Sequence, residues 1–315
     1  MNNLPALYLA REALQLGSDR ELRHSVMNGT VTRIGIGVFV DTAAWLSMQP
    51  DERYRTRVRG AAAVSAHGTQ FSHDSAAALW RLPSIGPWPT VTHTLTAKQR
   101  GGSSRVQIRR HGLGLDPLAT NIDGPAVTSL ARTVIDMACT TPLVRAVAMA
   151  DAALRTPQKD EWHRPSTSTA ELASVLETLL PYRGHLRAQR VINLANGKSE
   201  SPGESFARVQ FLALGYPPPE LQVEFFDELG YIGTVDFFWP HLGLICEFDG
   251  ISKYGAERRY QLGLTPEQIL INEKSREDRL RRVSNDFVRL GWSKVADRRA
   301  LAGFLARHGL ISRTT

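Results

Sequence analysis

Two neighbouring segments near residue 240 constrain the fold of the C-terminal third of this chain more than any other feature. Val235, Phe237 and Trp239 occupy every second position, which is typical of a strand with one apolar face. The apolar segment Leu244–Cys246 predicts a second strand that is buried on both faces. Residues 240–243 predict a turn between them, so we expect the two strands to form a hairpin.

Three acidic residues lie on these two strands. Asp236 lies in the first strand. Glu247 and Asp249 end the second strand on one face, since side chains alternate along a strand with a period of two. The hairpin would bring the three carboxylates together, where like charges repel, and a divalent cation would relieve that repulsion. Carboxylate oxygens suit Mg²⁺ or Mn²⁺. We therefore predict a metal site at Asp236, Glu247 and Asp249 that activates a water for phosphodiester hydrolysis.

Basic residues downstream could stabilise the negative charge that develops on a phosphate during hydrolysis. Lys253 lies four residues beyond Asp249, and Lys274 and Arg276 lie in the segment EKSREDRLRR. Two pairs of opposite charge at i,i+4 spacing predict that this segment is helical: Lys274–Asp278 and Glu277–Arg281. Most of its charges are expected to face the solvent. The segment DFVRLGW then predicts a closing strand.

A helix is expected before the hairpin, because Ser201 can cap it and Pro202 suits its first position. Glu204 in this helix has two interpretations. Its carboxylate either completes the helix cap or points from the helix toward the acidic site as a further catalytic group. The sequence leaves both open.

The run from about Ser201 to Trp292 resembles the domain family related to very-short-patch-repair endonucleases, within the PD-(D/E)xK nuclease superfamily. The matching segments are SPGES, VDFFWP, EFDG, the EK-x-RED-x-LR helix and the strand after it. This resemblance implies a mixed central sheet flanked by helices, with Asp236 and Glu247 holding the metal and Glu204 as the carboxylate of the first helix. It also implies a lysine two residues after Glu247, where this chain has Asp249. Lys253 or Lys274 would then have to supply that positive charge.

The first 45 residues predict a helix, a tight turn, a second helix and a hairpin, in that order. A helical pattern over residues 4–16 ends at Gly17, and Ser18-x-x-Glu21 has the spacing of a capping box for the second helix. The β-branched residues of TVTRIGIGVFV predict the hairpin. This order is typical of a winged helix-turn-helix, whose second helix enters the major groove of DNA. The alternative is a small helical cap with solvated charges.

Four basic side chains would contact DNA in the winged-helix interpretation: Arg20, Arg23 and His24 on the second helix, and Arg33 on the wing. The charge distribution supports DNA binding by the N-terminal half, because residues 1–155 carry 17 Lys and Arg against 11 Asp and Glu. The alternative interpretation of the charge is a merely basic soluble protein.

Residues 46–155 predict a mixed α/β region without a catalytic cluster. Helices are expected over DERYRTRVRGAAAVSAHG, HDSAAALWRL, Ser129–Ala138 and Leu143–Leu154, and strands over TVTHTLTAKQR and SRVQIRRHG. The histidines of this region are spread singly, which is more typical of structural or surface groups than of ligands: His67, His73, His93 and His111. Cys139 and Cys246 have no zinc-ligand spacing, so we expect a reducing compartment and no structural metal.

Residues 1–155 resemble the AbiEi-type antitoxins of abortive-infection toxin–antitoxin systems. The matching segments are SDRELRHSVMNGTVTRIGIGVFV, FSHDSAAALWRL and DGPAVTSLARTVIDMA. The resemblance implies a winged helix that binds operator DNA, followed by an α/β domain that contacts a toxin or another partner.

We therefore expect an α/β multidomain protein with four regions. These are a winged helix-turn-helix (1–45), an AbiEi-like α/β domain (46–155), a linker with helices (156–199) and a PD-(D/E)xK endonuclease-like domain (200–315). No apolar run reaches the roughly 20 residues that a membrane span needs. The N-terminus also lacks the basic region of a signal peptide, so we expect a cytoplasmic protein.

Three functions fit these expectations. The first is a DNA-binding protein with an active endonuclease domain that depends on Mg²⁺ or Mn²⁺, which the three clustered acids favour. The second is a transcriptional regulator or antitoxin of a type IV, AbiE-like toxin–antitoxin system with a catalytically degenerate nuclease fold, which the absent lysine favours. The third is a toxin-neutralising protein without DNA contact.

Overall fold

A computed structural model describes residues 5–97, 107–156, 165–250 and 265–313 of the 315-residue chain. The chain divides into two compact units, Met1–Ala195 and Asn196–Thr315. Both units combine helices with sheets, so the expected α/β multidomain class is confirmed at that level. The four predicted domain boundaries are finer than this division and stay predictions. No helix in the described ranges is long and apolar enough to cross a membrane.

The N-terminal unit begins with a three-stranded antiparallel sheet and short helices, in which β3 lies between β1 and β2. The order is β1 (Leu7–Leu9), α1 (Ala10–Gln15), α2 (Asp19–Met27), β2 (Val31–Gly35), β3 (Val38–Asp41) and α3 (Thr42–Ser47). The expected sequence of helix, turn, helix and hairpin is therefore present, with one strand added in front. The winged-helix assignment itself stays a prediction.

Two local predictions at the N-terminus were wrong. The helix expected over residues 4–16 begins only at Ala10, because Leu7–Leu9 pair with β3. Strand pairing satisfies backbone groups that would stay free at the end of so short a helix, and it buries Leu9. The predicted capping box of α2 is absent, since the Ser18 hydroxyl donates to the Ala13 carbonyl at 3.3 Å instead.

A second, mixed sheet of five strands follows in the N-terminal unit, in the order β6-β5-β4-β8-β7. Its strands are β4 (Gln70–Phe71), β5 (Thr92–Leu95), β6 (Ile108–His111), β7 (Thr120–Asn121) and β8 (Ala126–Val127). The helices are α4 (Pro50–Ala63), α5 (His73–Leu79), α6 (Leu130–Thr140), α7 (Leu143–Leu154), α8 (Thr169–Thr178) and α9 (His185–Leu194). All seven residues of α5 are buried, so its polar side chains must find partners inside the unit.

The C-terminal unit is built on a four-stranded mixed sheet in the order β12-β11-β10-β9. Its elements are α10 (Pro202–Ala213), β9 (Glu220–Asp227), β10 (Gly230–Trp239), β11 (Leu244–Asp249), α11 (Pro266–Val283), β12 (Asp286–Gly291), α12 (Trp292–Ala296) and α13 (Arg298–Arg307). Strands β9, β10 and β11 are antiparallel neighbours, whereas β11 and β12 are parallel. The hairpin, both flanking helices and the closing strand were predicted from the sequence. The restriction-endonuclease-like assignment stays a prediction.

Apolar side chains cover both faces of this sheet. Phe237 and Trp239 of β10 pack with Phe211 of α10 in one core, while Ile245 of β11 packs with Leu280 of α11 in the other. Glu247 of β11 contacts Arg276 of α11, a helix rich in charged residues.

Candidate functional site

The β10–β11 hairpin brings Asp236 and Glu247 together. Phe237 pairs with Cys246, so the next step of the antiparallel register places Asp236 opposite Glu247. Both acids are half-buried. This juxtaposition is the one that the spacing in the sequence predicted.

Hydrogen bonds hold the Asp236 carboxylate on both of its oxygens. Oδ2 accepts from the backbone N–H of Phe248 at 2.8 Å, and Oδ1 accepts from the Gln222 side-chain amide at 3.2 Å. Burial raises the pKa of Asp236 above its ordinary value, and the negative charge of Glu247 adds to that rise. The hydrogen bonds lower the pKa in opposition, but burial is the largest effect.

Glu204 is held beside the start of α10 and is linked to Asp236 through Gln222, while a catalytic role for it stays a prediction. Its Oε2 accepts from the backbone N–H of Glu200 at 2.9 Å, immediately before the Ser201 cap of α10. The same oxygen accepts from the Gln222 amide at 3.0 Å, so one amide nitrogen bridges Glu204 and Asp236. Burial raises the pKa of Glu204, and the charge of Asp236 raises it further.

Gln222 is a member of this site that sequence reasoning missed. It lies in β9 with φ at 53°, in the left-handed region that is uncommon for a non-glycine residue. Such a conformation persists only where surrounding contacts hold it, and outliers of this kind cluster at functional sites. Nothing in the local sequence pattern marks this glutamine, because its role depends on a strand neighbour and on α10.

Two arginines compensate the charge of Glu247. Arg276 donates from Nη2 to Glu247 Oε1 at 2.5 Å and to the Thr234 carbonyl at 3.0 Å. Arg289 on β12 has its Nη2 3.8 Å from Glu247 Oε2, and it also contacts Glu273 and Glu277 of α11 at 2.7 and 3.1 Å. The acidic site is therefore part of a network of guanidinium and carboxylate groups.

The structure places two further residues of the predicted nuclease site at the surface. Asp249 is exposed at the end of β11, and Lys274 is exposed on α11. Lys253 lies outside the described residues. Arg276, which the sequence offered beside Lys274, is the cation that reaches Glu247.

The carboxylates as they stand do not fit the predicted Mg²⁺ or Mn²⁺ site. Within the described residues, no set of three carboxylates brings its oxygens within 4.8 Å of one another. Both oxygens of Asp236 already accept hydrogen bonds, and Glu247 is engaged by Arg276. A hard cation takes several oxygen ligands at about 2.0–2.6 Å, so these bonds would have to break first.

The predicted DNA-contacting residues are all exposed in the N-terminal unit: Arg20, Arg23, His24 and Arg33. The three on α2 follow an i, i+3, i+4 spacing, which places them on one face of that helix. Arg23 forms an ion pair with Asp19 one turn before it, so part of its charge is compensated within the helix. Arg33 donates to the Gly35 carbonyl at 3.1 Å on the β2–β3 hairpin.

A histidine cluster in the N-terminal unit was not foreseen from the sequence. His73, His93 and His111 each bring a ring nitrogen within 4.8 Å of the others, and this group could hold a metal ion. These three histidines, which are spread singly in the sequence, are therefore not isolated from one another in the structure. Their sequence spacing carries no ligand signal, because parallel pairing of β5 with β6 and the start of α5 bring them together.

Comparison with known proteins adds no family name. No family model matches the chain. Two relatives from Mycobacterium tuberculosis are similar to it: the uncharacterized proteins MT2308 of strain CDC 1551 and Rv2248 of strain H37Rv. Each is 26% identical over 279 residues, which is 82% of this chain and 92% of the relative. The similarity thus extends across both units.

Proposed function

We propose that this chain is a DNA-binding regulator of the antitoxin type, whose C-terminal unit has a nuclease-like fold but does not hydrolyse DNA. The absence of hydrolysis is inferred from the engagement of Glu247 by Arg276 at 2.5 Å, with Arg289 beside its other oxygen. A nuclease metal draws on free carboxylate oxygens. In this chain the guanidinium of Arg276 neutralises Glu247 instead.

A hydrolytic Mg²⁺ or Mn²⁺ ion would have to displace Arg276 from Glu247. It would also compete with the hydrogen bonds that Phe248 and Gln222 donate to Asp236. Mg²⁺ in particular demands near-ideal octahedral geometry and gives up its bound water reluctantly. The acidic site is therefore better suited to stabilising the fold than to capturing such an ion.

DNA binding is assigned to α2 and the hairpin that follows it. Arg20 and His24 are exposed one turn apart on α2, and Arg33 is exposed on the hairpin. Contacts between such cations and phosphates release counterions, so affinity falls as salt concentration rises. The basic excess of the first 155 residues, 17 Lys and Arg against 11 Asp and Glu, strengthens this attraction.

Fluorescence anisotropy with duplex DNA over a range of salt concentrations tests the DNA-binding part. Arg20→Ala should weaken binding and reduce the slope of log affinity against log salt by about 0.9, the value for one phosphate contact. Arg190→Ala, an exposed arginine on α9, is the matched control and should leave the slope unchanged. Equal slopes in wild type and Arg20→Ala, or no binding at all, would favour a protein that contacts a toxin without contacting DNA.

The absence of hydrolysis is tested by incubating the protein with single-stranded, double-stranded, mismatched and modified DNA in the presence of Mg²⁺ or Mn²⁺. We expect no cleavage by the wild-type chain. Cleavage that disappears in Asp236→Asn would overturn the proposal and establish the metal-dependent endonuclease.

That endonuclease is the second candidate, and one observation favours it. Asp236 and Glu204 are acids whose pKa values burial raises, and one amide links them. Groups with such perturbed pKa values cluster at functional sites, although structural networks produce them as well.

A further inference from the structure

Three imidazole side chains meet inside the N-terminal unit. His73 begins α5, His93 lies in β5 and His111 ends β6, so three separate elements converge on one point. We propose that His73, His93 and His111 bind a divalent transition metal of the zinc class through one ring nitrogen each. This inference stands apart from DNA binding and from the acidic site, because none of their residues takes part in it.

The ring nitrogens already lie close to the spacing that a metal requires. His93 Nδ1 and His111 Nε2 are 3.0 Å apart. Two nitrogens bound to one tetrahedral Zn²⁺ at about 2.0–2.1 Å are about 3.4 Å apart, so this pair needs to open by only a few tenths of an ångström. The rings of His73 and His111 are stacked with centroids 3.7 Å apart. Because a metal lies in the plane of each imidazole, binding rotates one of these rings out of the stack.

The outer nitrogens of two of the rings face carboxylates. His73 Nδ1 lies 3.0 Å from the Ser72 hydroxyl and 3.9 Å from Asp136 Oδ2. His93 Nε2 lies 3.9 Å from Asp74 Oδ2, and Arg145 holds that carboxylate through a 2.6 Å contact. Metal-bound histidines characteristically present their second N–H to a carboxylate, a carbonyl or a water. This cluster has that arrangement on two of its three rings.

The cluster contains polar atoms without partners. Among the described residues, His73 Nε2 is buried and accepts or donates no hydrogen bond, and the same holds for His93 Nε2 on the outer side of its ring. Buried polar atoms of this kind are rare in folded proteins. With His73 Nδ1 directed at Ser72, the free Nε2 is the nitrogen that can turn toward a metal.

The donor atoms of the cluster indicate which class of ion it would bind. Imidazole nitrogens suit zinc, copper, nickel and iron, whereas Mg²⁺ prefers oxygen ligands. The cluster therefore selects a different class of ion from the one that the acidic residues of the C-terminal unit suggested.

Isothermal titration of the metal-free, full-length chain with Zn²⁺ tests the proposal. We expect saturable binding of one ion per chain that an excess of Mg²⁺ does not displace. His93→Gln and His111→Gln should each abolish this binding. His67→Gln and His241→Gln, which change exposed histidines, should retain it. Asp74→Asn should weaken it by about 10- to 100-fold, as loss of an outer carboxylate does.

Two results would overturn the proposal: no saturable Zn²⁺ binding by the wild-type chain, or unchanged binding in both His93→Gln and His111→Gln. Zinc-edge X-ray absorption of the loaded wild-type chain keeps the test decisive if a variant does not fold. A shell with three imidazoles supports the site. A shell of oxygens alone places the ion elsewhere and refutes it.

Discussion

Replacing Arg276 by methionine should remove the cation on which Glu247 depends. The variant keeps most of the apolar stem but loses the hydrogen bonds to Glu247 Oε1 at 2.5 Å and to the Thr234 carbonyl at 3.0 Å. The Glu247 side chain is 13% exposed, so water replaces the lost guanidinium poorly. We therefore expect Arg276→Met to destabilise the C-terminal unit.

The size of this effect follows from the exposure of the pair. A hydrogen bond to a charged group contributes about 1.5–3 kcal/mol, and breaking a buried ion pair costs about 3–5 kcal/mol. The Arg276 side chain is 24% exposed, and Arg289 remains 3.8 Å from Glu247. Both facts place the expected loss toward the lower end, at about 2–3 kcal/mol in the free energy of unfolding. Adding Glu247→Gln removes the stranded charge and should restore at least about 1 kcal/mol.

Hydrogen–deuterium exchange of the intact chain, read on peptides from β10 and β11, measures this loss within the C-terminal unit. Urea unfolding of the same variants gives an independent value. Arg282→Met, an exposed arginine on the same helix, is the matched control and should exchange as the wild type does. The reasoning fails if Arg276→Met exchanges no faster than this control, or if the double variant is no more stable than Arg276→Met alone.

Three further predictions follow from contacts described above. Burial raises the pKa of Glu204, so between about pH 4 and neutrality the folded chain keeps a proton that the unfolded chain has lost. The free energy of unfolding should therefore fall as the pH rises through this range. Glu204→Gln should flatten a plot of the thermal midpoint against pH. Gly203→Ala should cost about 1–3 kcal/mol in urea unfolding, because its Cβ would lie 2.1 Å from the Phe248 ring; an unchanged midpoint would contradict this contact. Asp19→Asn should free Arg23 and steepen the salt dependence of DNA binding, and an unaltered slope would show that Arg23 does not face the phosphates.

Local signals in the sequence were sufficient for much of the C-terminal unit. Period-two alternation placed β10 and β11, and the turn between them fixed which acids would meet. The Ser201 cap and the first-position proline marked the start of α10. In the N-terminal unit, α7 covers Leu143–Leu154, as the apolar pattern predicted. In each case the signal that predicted the element lies within a short stretch of sequence.

Long-range contacts account for what the sequence did not reveal. Leu7 and Leu9 fit a helical pattern and a strand equally well, and pairing with β3 decided between them. The histidine cluster joins positions in α5, β5 and β6 that no spacing rule connects. On α11 the predicted pair Glu277–Arg281 is present at 2.7 Å, whereas the cross-sheet contact of Arg276 with Glu247 was not inferred from helix spacing.

The parallel pairing of β11 with β12 has a consequence for how this unit assembles during synthesis. Asp236 and Glu247 meet as soon as the β10–β11 hairpin closes, but Arg276 follows Glu247 by 29 residues and Arg289 by 42. The acidic pair therefore precedes both compensating cations in the order of synthesis. Arg276 and Glu247 carry opposite charges, and such charges accelerate encounter, so their attraction favours the docking of α11 onto the hairpin.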